Sequence, residues 1–281
     1  MPEIAFVNGV FLPLAAATVS IEDRGFQFAD GVYEVVATYR GEPYALARHL
    51  QRLERSLREL RIDLDIRAYG LAEIIRSGIA RSGFSDALVY IQVTRGTAPR
   101  RHEFPSPHTP PTVVMTVKEL HRMPPEVYAR GVAVITRPDM RWKRCDIKSI
   151  SLLANVLAKQ DAVEAGVFEA LLVDAAGRVT EGASTSALCV RAGELWTAPE
   201  GPQILPSITR GCLLELARSL GLTVHEEFST LDEFLAADEV LLAGTTTEAL
   251  AVVQIDGQRI GSGVPGPVTR SLRDAFLRTV P

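Results

Sequence analysis

Lys148 is the residue with the most chemistry in reach. It lies in Arg144-Cys145-Asp146-Ile147-Lys148-Ser149, after a basic loop and before an apolar helical pattern. A lone lysine there reads as a surface residue. Its functional alternative is a Schiff-base lysine, whose amine must lose its proton to attack a carbonyl. Desolvation and the cations at Arg141, Lys143 and Arg144 would lower its pKa for that task.

Glu181 lies in Val179-Thr180-Glu181-Gly182-Ala183-Ser184-Thr185-Ser186. Locally it reads as a turn residue. Chemically it reads as a carboxylate that keeps a ring nitrogen protonated, so that the ring remains an electron sink. Two hydroxyl-rich turns could hold a phosphate, Pro206-Ser207-Ile208-Thr209 and Gly244-Thr245-Thr246-Thr247. Free amides at a helix start suit an anion. The plainer reading of Ser207 or Thr209 is a helix N-cap.

Arg100, Arg101 and His102 form a basic cluster in a proline-rich loop. It reads as a solvated loop, a small nucleic-acid patch, or a carboxylate clamp, which a planar guanidinium suits. Tyr33 sits in a β-type run, where a tyrosine is usually core and its hydroxyl needs a partner. The five histidines show no metal-binding spacing, so no metal site is expected, and His49 reads as a helix-start residue. Neither a GxxxxGK[ST] loop nor a GxSxG elbow occurs.

These residues need elements to position them. Ile4–Val7 and Val10–Leu12 read as a hairpin about Asn8-Gly9. Gly31–Tyr39 is a strand, followed by an Arg40-Gly41 turn and a return strand over Pro43–Leu46. Leu50, Leu53, Leu57 and Leu60 recur at three- and four-residue steps, predicting a helix over Arg48–Arg61. A second helix is expected over Tyr69–Arg81, then strands over Ala87–Thr94 and Thr112–Val117. A linker at 119–125 would separate an N-terminal domain, 1–118, from a C-terminal domain, 126–281, that carries Lys148. The second part predicts a strand over Val132–Thr136 and a helix over Ser151–Ala165. A meander through Ala170–Val173, Thr185–Val190 and Leu195–Thr197 follows. A helix over Ile208–Leu220, a strand over Glu239–Ala243 and a last strand ending at Ile255 complete it, with a helix from about Val268. Strands and helices mix in both halves, so the fold class is α+β or α/β with two domains.

Composition sets the limits. The chain has 281 residues with 47% apolar and 23% charged, an ordinary globular balance. A net charge of -4 argues against a dedicated nucleic-acid binder. Three irregularly spaced cysteines fit a reducing compartment. No basic-then-apolar leader opens the sequence, and no apolar run approaches the ~18 residues of a membrane span. A cytoplasmic protein that binds neither membrane nor nucleic acid is the expectation.

Taken in order, these segments resemble the fold-type IV pyridoxal-phosphate enzymes, the class of branched-chain and D-amino-acid aminotransferases. The resemblance spans nearly the whole chain. It is carried by Asp23-Arg24-Gly25-Phe26-Gln27-Phe28-Ala29-Asp30-Gly31-Val32-Tyr33-Glu34, by Val93 to Arg100, and by Arg141-Trp142 with the Lys148 motif. Val179-Thr180-Glu181-Gly182, Ile208-Thr209-Arg210 and Thr245-Thr246-Thr247-Glu248 continue it. Thr94-Arg95-Gly96-Thr97-Ala98-Pro99-Arg100, with His102 two positions on, is similar to the carboxylate trap of the D-amino-acid branch. The sequence departs from the family's pattern at Ala183-Ser184-Thr185-Ser186, at Pro206-Ser207, and at Arg101, where a small residue is expected.

The resemblance implies a two-domain fold-type IV architecture, pyridoxal 5'-phosphate as cofactor, and a homodimer with shared active sites. Lys148 would carry the cofactor and shuttle the proton, and Glu181 would pair with the pyridine nitrogen. Arg52, Ile208, Thr209 and Thr245 would bind the phosphate, and Leu205 would lie against the ring. Tyr33, with Arg100 and His102 of the neighbouring subunit, would bind the substrate carboxylate. The implied reaction moves an amino group from a D-amino acid to a 2-oxo acid by a ping-pong mechanism. An L-branched-chain aminotransferase, an (R)-amine transaminase and aminodeoxychorismate lyase share the fold and would keep Lys148 and Glu181. A non-catalytic phosphate-ligand or nucleic-acid-binding protein is the reading from another class.

Overall fold

The computed structural model describes residues 3–281. The chain divides into two units. One comprises residues up to His121 together with Ile147–Ser151 and Pro281, the other Arg122–Asp146 and Leu152–Val280.

In the first unit the elements run β1 (Ile4–Val7), β2 (Val10–Pro13), α1 (Arg24–Phe28), β3 (Gly31–Tyr39), β4 (Glu42–Pro43), α2 (Leu46–Glu59), α3 (Leu71–Ser82), β5 (Ala87–Thr94) and β6 (Thr112–Glu119). They build one six-stranded antiparallel sheet in the order β2-β1-β6-β5-β3-β4. Side chains alternate across a strand. Val89, Ile91 and Val93 of β5 therefore enter the core, as do Val32 and Val36 of β3, where they meet Leu53 and Leu57 of α2 and Ile75 and Ile79 of α3. Each such buried aliphatic side chain contributes roughly 1.5–3 kcal/mol. Tyr33, Tyr90 and Gln92 fall on the other face.

The second unit contains α4 (Pro125–Arg130), β7 (Val132–Pro138), α5 (Leu153–Glu164), β8 (Glu169–Val173), β9 (Val179–Gly182), β10 (Ser186–Arg191), β11 (Glu194–Thr197), α6 (Ile208–Ser219), β12 (Val224–Glu226), α7 (Leu231–Leu235), β13 (Glu239–Gly244), β14 (Glu248–Ile255), β15 (Gln258–Arg259) and α8 (Pro267–Leu277). Its sheet is mixed and nine-stranded, ordered β12-β11-β10-β13-β14-β7-β8-β9 with β15 paired to β14. The parallel pairs are β7 with β8, β7 with β14, and β11 with β12. Helices α6 and α8 pack on β13, and α5 packs on β8.

Several expectations need correction. The return strand expected over Pro43–Leu46 is only Glu42–Pro43, because Ala45 turns left-handed (φ 50°) and starts α2 at Leu46. Strand β6 runs through Lys118 and Glu119, the end of the expected first domain and the start of its linker. The lysine segment, expected with the C-terminal domain, packs with the first unit. Ser149 bridges Val32, and the Lys148 carbonyl accepts from the Tyr33 amide at 3.0 Å. Glu181 lies in a strand, not a turn.

Candidate active site

In the first unit, β3 presents neighbouring residues to opposite faces. Tyr33 stacks on Tyr90 with ring centroids 5.7 Å apart, and the Tyr90 hydroxyl donates to Gln92 Oε1 at 2.6 Å. Burial, with a smaller contribution from Tyr33, pushes the Tyr90 phenol up to about 12. The Lys148 Nζ sits 4.2 Å from the centre of the Tyr33 ring. The Lys148 amide donates to Ser56 Oγ on α2 at 3.2 Å. The lysine is thus held at its backbone from both sides, by β3 and by α2.

Glu34, the next residue, points to the helix side and is fully buried. Helical spacing puts His49, Arg52 and Ser56 on the buried face of α2. Arg52 donates to both Glu34 oxygens, at 2.7 and 2.8 Å, and His49 Nδ1 lies 2.8 Å from Glu34 Oε2. Burial alone would raise the Glu34 pKa, but Arg52 and then His49 outweigh it and bring it to about 2. Burial also lowers the His49 pKa, against the pull of Glu34. A neutral His49 donating from Nδ1 to an ionised Glu34 satisfies both groups. His49 is thus a buried partner inside α2, and Arg52, expected at the phosphate, is oriented by Glu34.

Arg100 and His102 are exposed on the loop after β5, and both lie on Phe28 of α1. The Arg100 guanidinium is 4.9 Å from the ring centre, and the His102 ring is 5.4 Å away. The loop leaves β5 through Gly96, whose φ of +98° and close approach to Pro110 O (2.1 Å from an added Cβ) exclude other residues. The Arg101 side chain is exposed and 3.8 Å from Glu103.

In the second unit, Glu181 on β9 is buried and ion-paired with Arg141 through Nη1 and Oε2. Arg141 also donates to both Asp139 oxygens (2.7 and 2.9 Å), to Thr180 Oγ1 (3.2 Å) and to Gln203 O (3.0 Å). Burial disfavours the Arg141 charge, but Asp139 and Glu181 outweigh it and raise its pKa. The Asp139 carboxyl is held low by Arg141 and Thr180 despite burial. Arg141 is thus closed on carboxylates, and Arg144 pairs with Asp146 (2.9 Å). Both are among the cations that the sequence suggested for lowering the Lys148 pKa, and both are ion-paired.

Helix α6 begins at Ile208 after the N-cap Ser207, whose Oγ accepts from the Arg210 amide at 3.2 Å. The first intrahelical bond joins the Gly211 amide to Ser207 O, so the Ile208 and Thr209 amides precede the ladder and face outward along the axis. Leu205 is half-buried just before the cap. Thr245 is half-buried in the turn between β13 and β14.

The structure therefore brings Lys148, Tyr33 and the Arg52 cluster together in the first unit. Glu181 is tied through Arg141 to Gln203, two residues before Leu205. Sequence reasoning missed Glu34, Ser56 and the Arg141–Asp139–Glu181 cluster. The one usable signal was the helical spacing of His49, Arg52 and Ser56 beside the leucines of α2.

Comparison with known proteins bears on what this donor set does. The sequence model of the family described as "Amino-transferase class IV" matches residues 31–255. The chain belongs to the class IV aminotransferases. This aminotransferase is 41% identical to a D-alanine aminotransferase of Bacillus licheniformis, over 97% of its own length and 95% of the relative's. It is 38% identical to the D-alanine aminotransferase of Staphylococcus haemolyticus, over 98% and 97%. Among solved structures it is similar to the T.th. branched-chain amino acid aminotransferase with pyridoxamine 5'-phosphate (TM-score 0.91, 28% identity, 99% and 94% coverage). Its fold also matches the branched-chain enzyme of Escherichia coli (TM-score 0.89, 24% identity, 99% and 94% coverage). No helix among the described residues is long and apolar enough to cross a membrane.

Proposed function

We propose that this aminotransferase moves the amino group of a D-amino acid, D-alanine in the first instance, to a 2-oxo acid such as 2-oxoglutarate. The full-length identity of about 40% to D-alanine aminotransferases carries this reading. The donor set suits pyridoxal 5'-phosphate: a primary amine, a buried carboxylate paired with a guanidinium, and amides and hydroxyls at a helix start and a threonine turn.

When bound, the cofactor supplies a carbonyl that takes up the amino group and a ring that withdraws electrons. Lys148 would be its covalent anchor and the general base that removes and returns the α-proton. Glu181, paired with Arg141, would hold the proton at the ring nitrogen. The Ile208 and Thr209 amides, the hydroxyls of Thr209 and Thr245, and Arg52 oriented by Glu34 hold the phosphate. Leu205 lies against the ring. Tyr33, with Arg100 and His102, binds the substrate carboxylate. Donor and acceptor take turns, so initial-rate lines should be parallel.

A homodimer, in which Arg100 and His102 serve the neighbouring subunit, belongs to the same proposal. Leu153, Val156, Leu157 and Val163 on α5 leave an exposed aliphatic face that association would cover. Sedimentation should then report twice the 30.6 kDa chain mass.

The deciding assay offers D-alanine and L-leucine separately as donors to 2-oxoglutarate, with Lys148→Ala as control. Pyruvate formation from D-alanine, lost in Lys148→Ala, is the expected result. Transfer from L-leucine alone would instead favour a branched-chain activity, as in the structural relatives, and would remove Arg100 and His102 from their role.

A further inference from the structure

We propose that Arg24 is a positioning residue for substrate recognition, fixing the 100–103 segment so that Arg100 and His102 reach a substrate carboxylate. The inference rests on the carboxylate role given to those two residues above. Arg24 opens α1 and is only 3% exposed. Its Nη1 donates to Arg101 O at 2.6 Å and to Glu103 O at 3.3 Å, and its Nη2 donates to His102 O at 3.3 Å. One guanidinium thus gathers three successive carbonyls. Its donors lie in one plane, so the three carbonyls are held in a set direction that an ammonium, a single point of charge, would not impose.

The consequence falls on the side chains between those carbonyls. Phe28, four residues along α1, takes the Arg24 guanidinium 4.9 Å from its ring centre, and Arg100 and His102 rest on the same ring. Arg101 is turned away from it into solvent, which explains how a large residue is tolerated there.

Burying Arg24 would be costly alone. Asp30 compensates, accepting from Arg24 Nε at 2.8 Å and from Arg95 at 2.8 and 2.9 Å. Arg95 in turn donates to Leu60 O and Arg61 O just after α2. The carboxylate-binding loop is therefore referred to the framework through Arg24, Asp30 and Arg95, not through its own exposed side chains.

The test compares Arg24→Lys, Phe28→Leu and Arg100→Ala holoenzymes with the wild type. It measures kcat and KM for D-alanine and the inhibition constant of propionate, a carboxylate with no amino group to transfer. Arg24→Lys should raise the KM and the propionate constant together by about 10-fold, the worth of one charge-assisted hydrogen bond, with kcat within about two-fold. Phe28→Leu should move the same two constants in the same direction, and it carries the test if Arg24→Lys does not fold. Loss of kcat with an unchanged propionate constant in both variants would mean a merely structural role and overturn the inference. So would unchanged constants in both while Arg100→Ala raises them. If Arg100→Ala itself leaves both constants unchanged, the carboxylate role of Arg100 fails, and the inference with it.

Discussion

Two buried charge clusters, one in each unit, use the same parts in opposite ratio. In the first, Arg24 and Arg95 share one carboxylate, Asp30. In the second, Asp139 and Glu181 share one guanidinium, Arg141. The first holds two guanidiniums to one carboxylate and the second two carboxylates to one guanidinium. Burial makes charge expensive unless an opposite charge faces it. The signs agree with the proposed ligands: a substrate carboxylate for the loop tied to the first cluster, a protonated ring nitrogen for Glu181 in the second. Glu34, paired with Arg52 and His49, is a third cluster, and it orients its neighbours. The residue types in a buried cluster speak to stability. The ratio of cations to carboxylates speaks to what the cluster is for.

The largest expected effect comes from removing the Glu181 carboxylate of the second cluster. Glu181→Gln should slow amino transfer by roughly 10²–10⁴-fold, the range for a missing proton-holding group, with Glu181→Asp less impaired. Turnover close to wild type in Glu181→Gln would break the comparison at its centre.

Arg141→Met removes the guanidinium that two buried carboxylates, Asp139 and Glu181, share. It should cost about 3–5 kcal/mol of stability at pH 7 in urea titrations. The deficit should shrink as pH falls through the ordinary carboxylate range, because protonation relieves the repulsion. A pH-independent deficit would mean that lost packing, not charge, is responsible.

Glu34→Gln tests the third cluster. The Glu34 pKa falls on folding from 4.5 to about 2, so its contribution is present above the unfolded value and lost as pH drops toward 2. That contribution is on the order of 3 kcal/mol. Stability curves of variant and wild type should therefore diverge at neutral pH and converge near pH 2. Curves that stay parallel would show that Glu34 is not ionised in the fold.

The smallest effect sharpens the positive side. A Cβ on Gly25 would lie 2.2 Å from Thr94 Cγ2, a short buried side chain bonded to Asp23. Gly25→Ala should displace α1 and lower stability by about 1–3 kcal/mol, read as a drop in melting temperature. Its KM for D-alanine should rise as well, since Arg24 and Phe28 move with α1.

Legibility in the sequence followed element length. Ala87–Thr94 carries a full period-two pattern, and its observed bounds match the prediction. The helix before Gly83 and the helix starting at Ile208 were visible from periodicity and punctuation. Some short elements, unlike Ile4–Val7 and its hairpin partner, were not. Five-residue α1 and six-residue α4 have too few positions to show a period, and four-residue β9 hid Glu181 in what looked like a turn. They persist because Asp23 caps α1 and because β9 has a ladder partner in β8.

The sequence by itself determined the chemical types and their local settings: an amine in Lys148, a carboxylate in Glu181, hydroxyls and amides at the start of α6, and the apolar periods that bury each core. Local propensity and periodicity act over a few residues, so they are written in order along the chain. Tertiary structure alone decided which charges meet. Arg141 closes on Glu181, Arg24 and Arg95 converge on Asp30, and Ser149 joins β3 and carries Lys148 into the first unit. Coulomb and hydrogen-bond energies depend on separation in space, and residues distant in sequence have no periodic signature of being neighbours.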